Sequence, residues 1–244
     1  NQAQESLTQQ VKELYGEHLR IAPQGTIPKP DGSVRAIHDA TRGPASSPYL
    51  RIRDQVRYPR GGELRHALGW CSQQPGASWG LAMDVSQAHR RFKHRRKDWG
   101  FLACRLREGG PLYLNTVGTF GLGCASYWWS RLFGILARTS ISVLGRARLF
   151  QLVFADDVNW LAKGVDGIRA VVLALFVLAV MGTPFTWGKA TGGFSYQWVG
   201  LELDMTLHSL GITQERARWL YTWIDKVLAD KAVLVRDMIA VLGR

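Results

Sequence analysis

The sequence predicts an α+β fold in which antiparallel hairpins pack on helices. Two hairpin signals and one long apolar segment carry that prediction. In Gln151-Leu-Val-Phe-Ala-Asp-Asp-Val-Asn-Trp-Leu-Ala162 two apolar runs flank an Ala-Asp-Asp. Asp is depleted in strands and favoured in tight turns, so Asp156 and Asp157 are expected at a hairpin tip. Pro30-Asp31-Gly32-Ser33 is a second turn signal, set between strand-like flanks 26–29 and 34–38. The unbroken apolar run 170–181 is too short to span a bilayer and reads as a buried helix.

Along the chain, residues 6–19 are polar with scattered Leu and Val, and are expected to form a helix. The Pro- and Gly-rich stretch 21–48 holds the first hairpin, with Lys29 and Arg35 on its two arms. Residues 49–75 read as an irregular basic connection. Trp79-Gly-Leu-Ala-Met-Asp84 reads as a buried strand that ends on an acid. A helical pattern begins at Ser86 and contains six Lys or Arg in the eight positions 90–97. Segments 98–105 and 112–116 look like paired strands across a Glu-Gly-Gly-Pro turn. Phe120-Gly-Leu-Gly-Cys-Ala-Ser126 is a glycine-bearing loop that leads into a helix over 127–137. After the Asp-Asp hairpin comes a helix over 168–181, ended by Gly182-Thr-Pro. Segments 185–189 and 194–204 read as strands, and 213–242 as helical, with Ala217, Leu220, Ile224, Val227 and Leu228 at helical spacing.

The chain has 244 residues, 46% of them hydrophobic, enough for one large domain or two small ones. It carries no initiator Met and stops within a helical pattern, which reads as a piece of something longer. The net charge of +12 favours an anionic partner, nucleic acid before a membrane surface. No basic amphipathic terminal helix argues for the membrane. Cys71, Cys104 and Cys124 are widely separated and odd in number, so neither a zinc site nor a disulfide framework is supported. An intracellular setting, cytoplasmic or nuclear, is expected. Most of the ten Trp are expected in the core.

Adjacent carboxylates repel unless a cation sits beside them. Asp156 and Asp157 are therefore either a solvated turn or ligands for a hard divalent ion, which favours one or two carboxylates plus substrate phosphates. A carboxylate such as Asp84 at the end of an apolar strand is costly unless exposed or metal-bound. If its strand pairs with the hairpin, three carboxylates converge, as two-metal phosphoryl transfer requires. Lys29 and Arg35 are either solvated or a phosphate clamp. The basic run is a solvated helix face, a nuclear address or a track for a phosphate backbone.

The order of these motifs resembles the reverse transcriptase family, most closely its gypsy-like and DIRS-like retroelement branches. Ile27-Pro-Lys-Pro-Asp-Gly-Ser-Val-Arg-Ala-Ile-His-Asp39 resembles the family's fingers hairpin. Met83-Asp-Val-Ser-Gln-Ala-His89 resembles its first catalytic motif, and Phe154-Ala-Asp-Asp157 its Asp-Asp hairpin. Phe120-Gly-Leu-Gly-Cys-Ala-Ser-Tyr-Trp-Trp-Ser-Arg131 is similar to the loop and helix beneath the nucleotide. Gly182 to Lys189 resembles the fourth motif, and Trp198-Val-Gly-Leu-Glu-Leu203 the primer grip. The resemblance spans residues 22–204, and six motifs in order carry it.

It implies a right-hand polymerase core: an N-terminal segment and fingers over 1–75, and a palm over 76–206 with a fingers segment near 92–116. The start of a truncated thumb would occupy 207–244. It implies RNA-templated DNA synthesis on a primer 3′-hydroxyl with two Mg²⁺ ions, Mn²⁺ being the alternative, as part of a retrotransposon polyprotein. The implied metal ligands are Asp84, the Val85 carbonyl, Asp156 and Asp157, the three acids being catalytic. Nucleotide contacts fall to Lys29, Arg35, Val85, His89, Phe120, Gly121 and Lys189. The primer grip would be Trp198, Val199 and Gly200. Arg90, Arg91, Lys93, Arg95 and Arg96 would touch nucleic-acid phosphates without reading sequence. Partners would be a primed template and deoxynucleoside triphosphates, with no membrane. His89 departs from the family's usual Phe or Tyr beneath the sugar; it is planar but shorter and polar, and its plainer role is packing. One residue more than the usual pattern precedes Arg42, which is given no role. The rival expectations are a palm-type RNA-dependent RNA polymerase and an inactive remnant that binds nucleic acid by charge.

Overall fold

A computed structural model describes residues 2–29, 32–41, 50–145 and 149–242. Pro30 and Asp31, at the centre of the first predicted turn, lie outside them, as does Arg42. The elements run α1 (Gln2–Tyr15), β1 (Ile21–Pro28), β2 (Val34–His38), α2 (Gly61–Gln73), β3 (Ser78–Asp84), β4 (Ala103–Arg105) and β5 (Leu112–Leu114). They continue with α3 (Ala125–Leu144), β6 (Leu149–Phe154), β7 (Asp157–Lys163), α4 (Gly164–Val180), β8 (Thr191–Gly193), β9 (Ser195–Trp198), β10 (Leu201–Asp204), β11 (Ser209–Ile212), α5 (Gln214–Asp230) and α6 (Val235–Leu242).

Three sheets organise the chain. The central one has the order β6-β7-β3-β8, its pairs antiparallel. Alternation along its strands sends side chains to two different cores. Met83, Val85, Val158 and Trp160 face α3 and α4, where they meet Trp129, Phe133, Val171 and Leu178. Ala82, Leu152 and Leu161 face the other way, towards Leu64, Leu68 and Cys71 of α2 and Tyr196, Trp198, Leu203 and Met205. The second sheet, β11-β10-β9, thus caps the central sheet together with α2. The third sheet, β2-β1-β4-β5, packs Ala22 and Leu102 against Leu122 and Ala125.

Several elements differ from the sequence expectation. The stretch read as an irregular connection holds α2. Leu64, Ala67, Leu68 and Cys71 are buried at helical spacing, and the Arg60 amide donates to Glu63 Oε2 at 2.9 Å to close the first turn. The helix expected from Ser86 is absent; short 3₁₀ turns cover Ala88–Arg90 and Arg96–Leu102. Gln87 takes a left-handed φ of 53°, which stops a helix at its start. An α-helix there would also set Arg91 over Arg95 and Lys93 over Lys97, both repulsive. The strand expected over 98–105 shrinks to β4 for the same reason: the 3₁₀ turn runs into it. Segment 185–189 forms a 3₁₀ turn, Trp187–Lys189, with a single bridge from Phe185 to Val85. Pro184, with no N–H, cannot extend that bridge into a ladder. The region 194–204 splits into β9 and β10, and 213–242 into α5 and α6. Lys231, at a φ of 50°, ends α5. β11 pairs with β10, so the 206/207 boundary falls inside a hairpin.

Only Trp129, Trp160 and Trp198 are fully buried; Trp128, Trp187 and Trp219 are exposed, against the expectation that most pack inside. α4 buries Ala170, Val171, Ala174 and Leu178 but leaves Val165, Ile168, Val172, Phe176 and Val180 more than two-fifths exposed. Among the described residues no helix is long and apolar enough to cross a membrane.

The contact between the central sheet and β9 depends on a glycine. A Cβ on Gly80 of β3 would lie 2.2 Å from the Tyr196 hydroxyl. That ring is buried, and its hydroxyl donates to Asn159 Oδ1 on β7 at 2.7 Å, so it cannot swing away cheaply. Gly80→Ala is expected to cost about 1–3 kcal/mol of stability. Urea unfolding of the two proteins checks it, and an unchanged midpoint contradicts the tight contact.

Candidate active site

β3 and β7 pair from Ser78↔Lys163 at one end to Asp84↔Asp157 at the other. The register therefore sets two carboxylates side by side at one edge of the central sheet. β6 pairs with β7 as far as Phe154↔Asp157, which leaves Ala155 and Asp156 as a two-residue turn. Ala155 has a φ of 53°, the positive value of the first central residue in a type II′ turn. Two hydrogen bonds hold this unfavourable geometry. Trp129 Nε1 of α3 donates to the Ala155 carbonyl at 2.9 Å, and the Val85 amide donates to the Asp156 carbonyl at 2.9 Å.

The Asp157 carboxyl is pushed up to about 6, first by burial, then by Asp156 and Asp84; Lys189 opposes the rise. Lys189 Nζ lies 3.1 Å from Asp84 Oδ2, placed by the turn in which Thr186 donates to the Asp84 carbonyl. Carboxylates are hard donors suited to Mg²⁺. Among the described residues, no three His, Cys, Asp or Glu side chains are grouped closely enough to hold a metal ion by themselves. Mg²⁺ does not need such a group, since it keeps waters and shares substrate phosphates, so the donor set fits it in kind.

Phe120 joins the fingers-like hairpin to this edge. Arg35 Cζ lies 4.9 Å from its ring centroid on one side, and the His89 ring stands edge-on 4.9 Å away. The His38 amide donates to the Phe120 carbonyl at 2.9 Å. Gly121 is required here: its φ is 90°, and a Cβ would fall 2.1 Å from the His38 carbonyl oxygen. His89 Nε2 is 3.5 Å from Ser126 Oγ, while its buried Nδ1 has no partner among the described residues. Burial holds the His89 pKa below the ordinary value; Asp156 pulls the other way. Lys29 lies at the hairpin tip, bonded through its backbone to Gly32 and Ser33, apart from the Arg35–Phe120 contact. The Val85 side chain is core, 1% exposed.

Trp198 is buried, and Val199 and Gly200 form the β9–β10 turn with φ of 48° and 74°, the pair of positive values of a type I′ turn. Arg216 of α5 donates to the Gly200 carbonyl at 3.0 Å. Phe154 links the two hairpins, its ring 6.5 Å from Trp198. The basic residues Arg90, Arg91, Lys93, Arg95 and Arg96 are all exposed but share no helix face. Arg91 Nε donates to the Ser86 carbonyl, and Arg95 pairs with Asp98. Lys93 and Arg95 border a groove with Trp128, Arg131 and Leu132 of α3. Sequence reasoning passed over Trp129, Ser126 and Arg216. Nothing local marks them, because each acts on a backbone or ring distant in the chain.

No protein-family model matches the chain, and no curated protein sequence matches it. Solved structures do. The foamy viral protease-reverse transcriptase dRH in complex with ds DNA superposes with a TM-score of 0.65 over 91% of this chain and 35% of that one, at 16% identity. The fold is that of the reverse transcriptases. The foamy viral protease-reverse transcriptase with an RNA/DNA hybrid gives 0.62 over 100% of this chain and 30% of that one, at 16% identity. Telomerase from Candida albicans with a TWJ fragment of telomeric RNA gives 0.59 over 86% and 49%, at 12% identity. The chain thus spans between 30% and 49% of the length of these relatives by fold.

The raised Asp157 carboxyl gives a pH prediction. Its folded value lies above the ordinary 3.8, so folding favours the neutral form. That stabilisation is complete below 3.8 and lost as pH rises through about 6. Asp157→Asn, which cannot ionise, is expected to stabilise the fold at pH 7.5 in metal-free buffer by about 1–3 kcal/mol, and to lose that advantage at pH 4. Urea midpoints at the two pH values check both halves.

Proposed function

We propose that this chain is the polymerase part of a reverse transcriptase, synthesising DNA on an RNA template. One observation carries the reading: in a nucleic-acid polymerase fold, the β3–β7 register sets Asp84 beside Asp157, with Asp156 at the adjoining turn. Asp84, Asp156 and the Val85 carbonyl would hold one Mg²⁺ ion, and Asp157 would support a second or orient the hairpin. Bound there, the two ions, or Mn²⁺ in their place, would acidify the attacking 3′-hydroxyl and neutralise the leaving pyrophosphate. The chain's own residues position the reactants, which is most of the work in such a reaction.

Arg35 and Lys29 would bind the triphosphate of a deoxynucleotide. Phe120 and Gly121 would form the floor on which the nucleotide rests, with His89 beside the sugar. Lys189 would leave Asp84 for the pyrophosphate. The Trp198-Val199-Gly200 turn would seat the primer end. The exposed Arg90, Arg91, Lys93, Arg95 and Arg96 would follow the template–primer backbone. In domain terms, residues 1–75 and 92–116 would supply the fingers, the rest of 76–206 the palm, and 207–244 the thumb's start. The gypsy-like or DIRS-like motif order supports a retrotransposon polyprotein as the source.

The deciding experiment is primer extension on poly(rA)/oligo(dT) with dTTP and Mg²⁺. Asp156→Asn is expected to lower the rate by about two orders of magnitude or more while leaving duplex binding intact. An unaffected rate contradicts the reading; silence from the wild type with the duplex still bound leaves a missing thumb or a binding remnant, which a chain extended through the thumb separates.

One observation favours RNA synthesis as a second reading. His89 puts a polar, shorter ring where Phe or Tyr would exclude a 2′-hydroxyl, and its Nδ1 has no partner among the described residues. His89→Phe is expected to raise the preference for dTTP over UTP by about tenfold. An unchanged ratio of the two incorporation rates assigns His89 to packing.

A further inference from the structure

At the far end of the central sheet from the carboxylates sits a second polar cluster. Lys163 is 3% exposed and Ser78 5% exposed. Lys163 Nζ donates to Ser78 Oγ at 2.8 Å, and Ser78 Oγ lies 2.7 Å from His208 Nε2. An ammonium can only donate, so Ser78 accepts from Lys163, while the direction of the Ser78–His208 bond follows the histidine tautomer. The three residues form one chain of bonds from β7 through β3 to the β10–β11 turn.

This chain breaks three local rules at once. A buried cation ordinarily has an acid beside it, yet no carboxylate lies within ion-pair distance of Lys163 among the described residues. Lys163 is also the N-cap of α4, where the helix dipole disfavours a positive charge. His208 holds a φ of 49°, strained for a residue with a Cβ. Departures of this kind, gathered at one place with no local gain, point to a role beyond stability.

The role follows from what the cluster holds. The β9–β10–β11 sheet carries the Val199–Gly200 turn at one end and the 205–208 turn at the other. Asp204 Oδ1 accepts from the Thr206 and Leu207 amides at 2.8 Å each, which fixes the second turn. Much of this sheet meets the central sheet through apolar contacts, which resist separation but not sliding. The directional contacts fall in two groups. On β9, Tyr196 donates to Asn159 and the Gln197 carbonyl accepts from Thr191 of β8 at 3.4 Å. At the opposite turn stands His208 with Ser78 and Lys163. The β9 contacts fix one strand; with His208 they fix the line across the sheet, and so the direction in which the Val199–Gly200 turn is aimed.

We propose that His208 is a positioning residue for the primer end, acting through Ser78 and Lys163 to set the angle of the β9–β11 sheet. The proposal rests on the polymerase reading above. His208→Ala removes the bond, while His208→Gln keeps a hydrogen-bonding group of similar reach.

Two measurements on the whole chain test it. By hydrogen exchange, His208→Ala is expected to speed exchange of the 196–204 amides about tenfold, with the β3 and β7 amides near the carboxylates unchanged. In primer extension, kcat is expected to fall by about tenfold to a hundredfold with the KM for dTTP within about twofold. His208→Gln is expected to restore both. Unchanged exchange, unchanged kcat, or a loss in which Gln matches Ala and both follow the folded fraction overturns the proposal. If the wild type extends no primer, the polymerase reading falls and the primer role with it, while the exchange data still decide whether His208 holds the sheet.

Discussion

Like charges set close together on one rigid edge are the constraint from which the rest of this structure follows. The antiparallel register of β3 and β7 leaves Asp84 and Asp157 no freedom to move apart along the strands. Their repulsion, with Asp156 added, is carried by the bonds around them. Trp129 grips the Ala155 carbonyl, Val85 grips that of Asp156, and Lys189 leans on Asp84. Both faces of the sheet are buried, so it cannot twist to relieve the strain. A soft sheet would let the carboxylates separate; this one holds them side by side.

The parts of this arrangement that depend on period and turn chemistry were legible in the sequence. Apolar runs in 79–84 and 151–162 marked the strands, and Ala-Asp-Asp marked the turn of the second. The helix over 61–73 was equally marked, by Leu64, Ala67, Leu68 and Cys71, but Gly61-Gly62 and the surrounding arginines suggested a loop. The basic run misled in the opposite sense. Its residue types favour helix, while the repulsion between its charges and the left-handed Gln87 prevent one.

Contacts between distant positions were legible only where the family resemblance gathered residues, as with Asp84 and the Asp-Asp turn; the bonds themselves were not. Ser78 is 130 positions from His208 and 85 from Lys163, and no local pattern links them. The same holds for Arg35 and His89 on either side of Phe120. Aromatic content was a poor guide to the core. Trp128 and Trp187 stand in solvent because each sits on a helix or turn whose opposite face is the buried one.

The outer face of α4 bears on how the protein behaves in solution. Val165, Ile168, Val172, Phe176 and Val180 form a stripe with little charge, Asp166 and Arg169 pairing with each other beside it. On a chain of net charge +12, long-range repulsion keeps such stripes on separate molecules from meeting. Added salt shortens that repulsion to about 10 Å at 0.1 M. The same salt weakens the hold of basic residues on phosphates. Under the proposed polymerase function, colloidal stability and nucleic-acid affinity are therefore tuned by one variable and decline together as ionic strength rises.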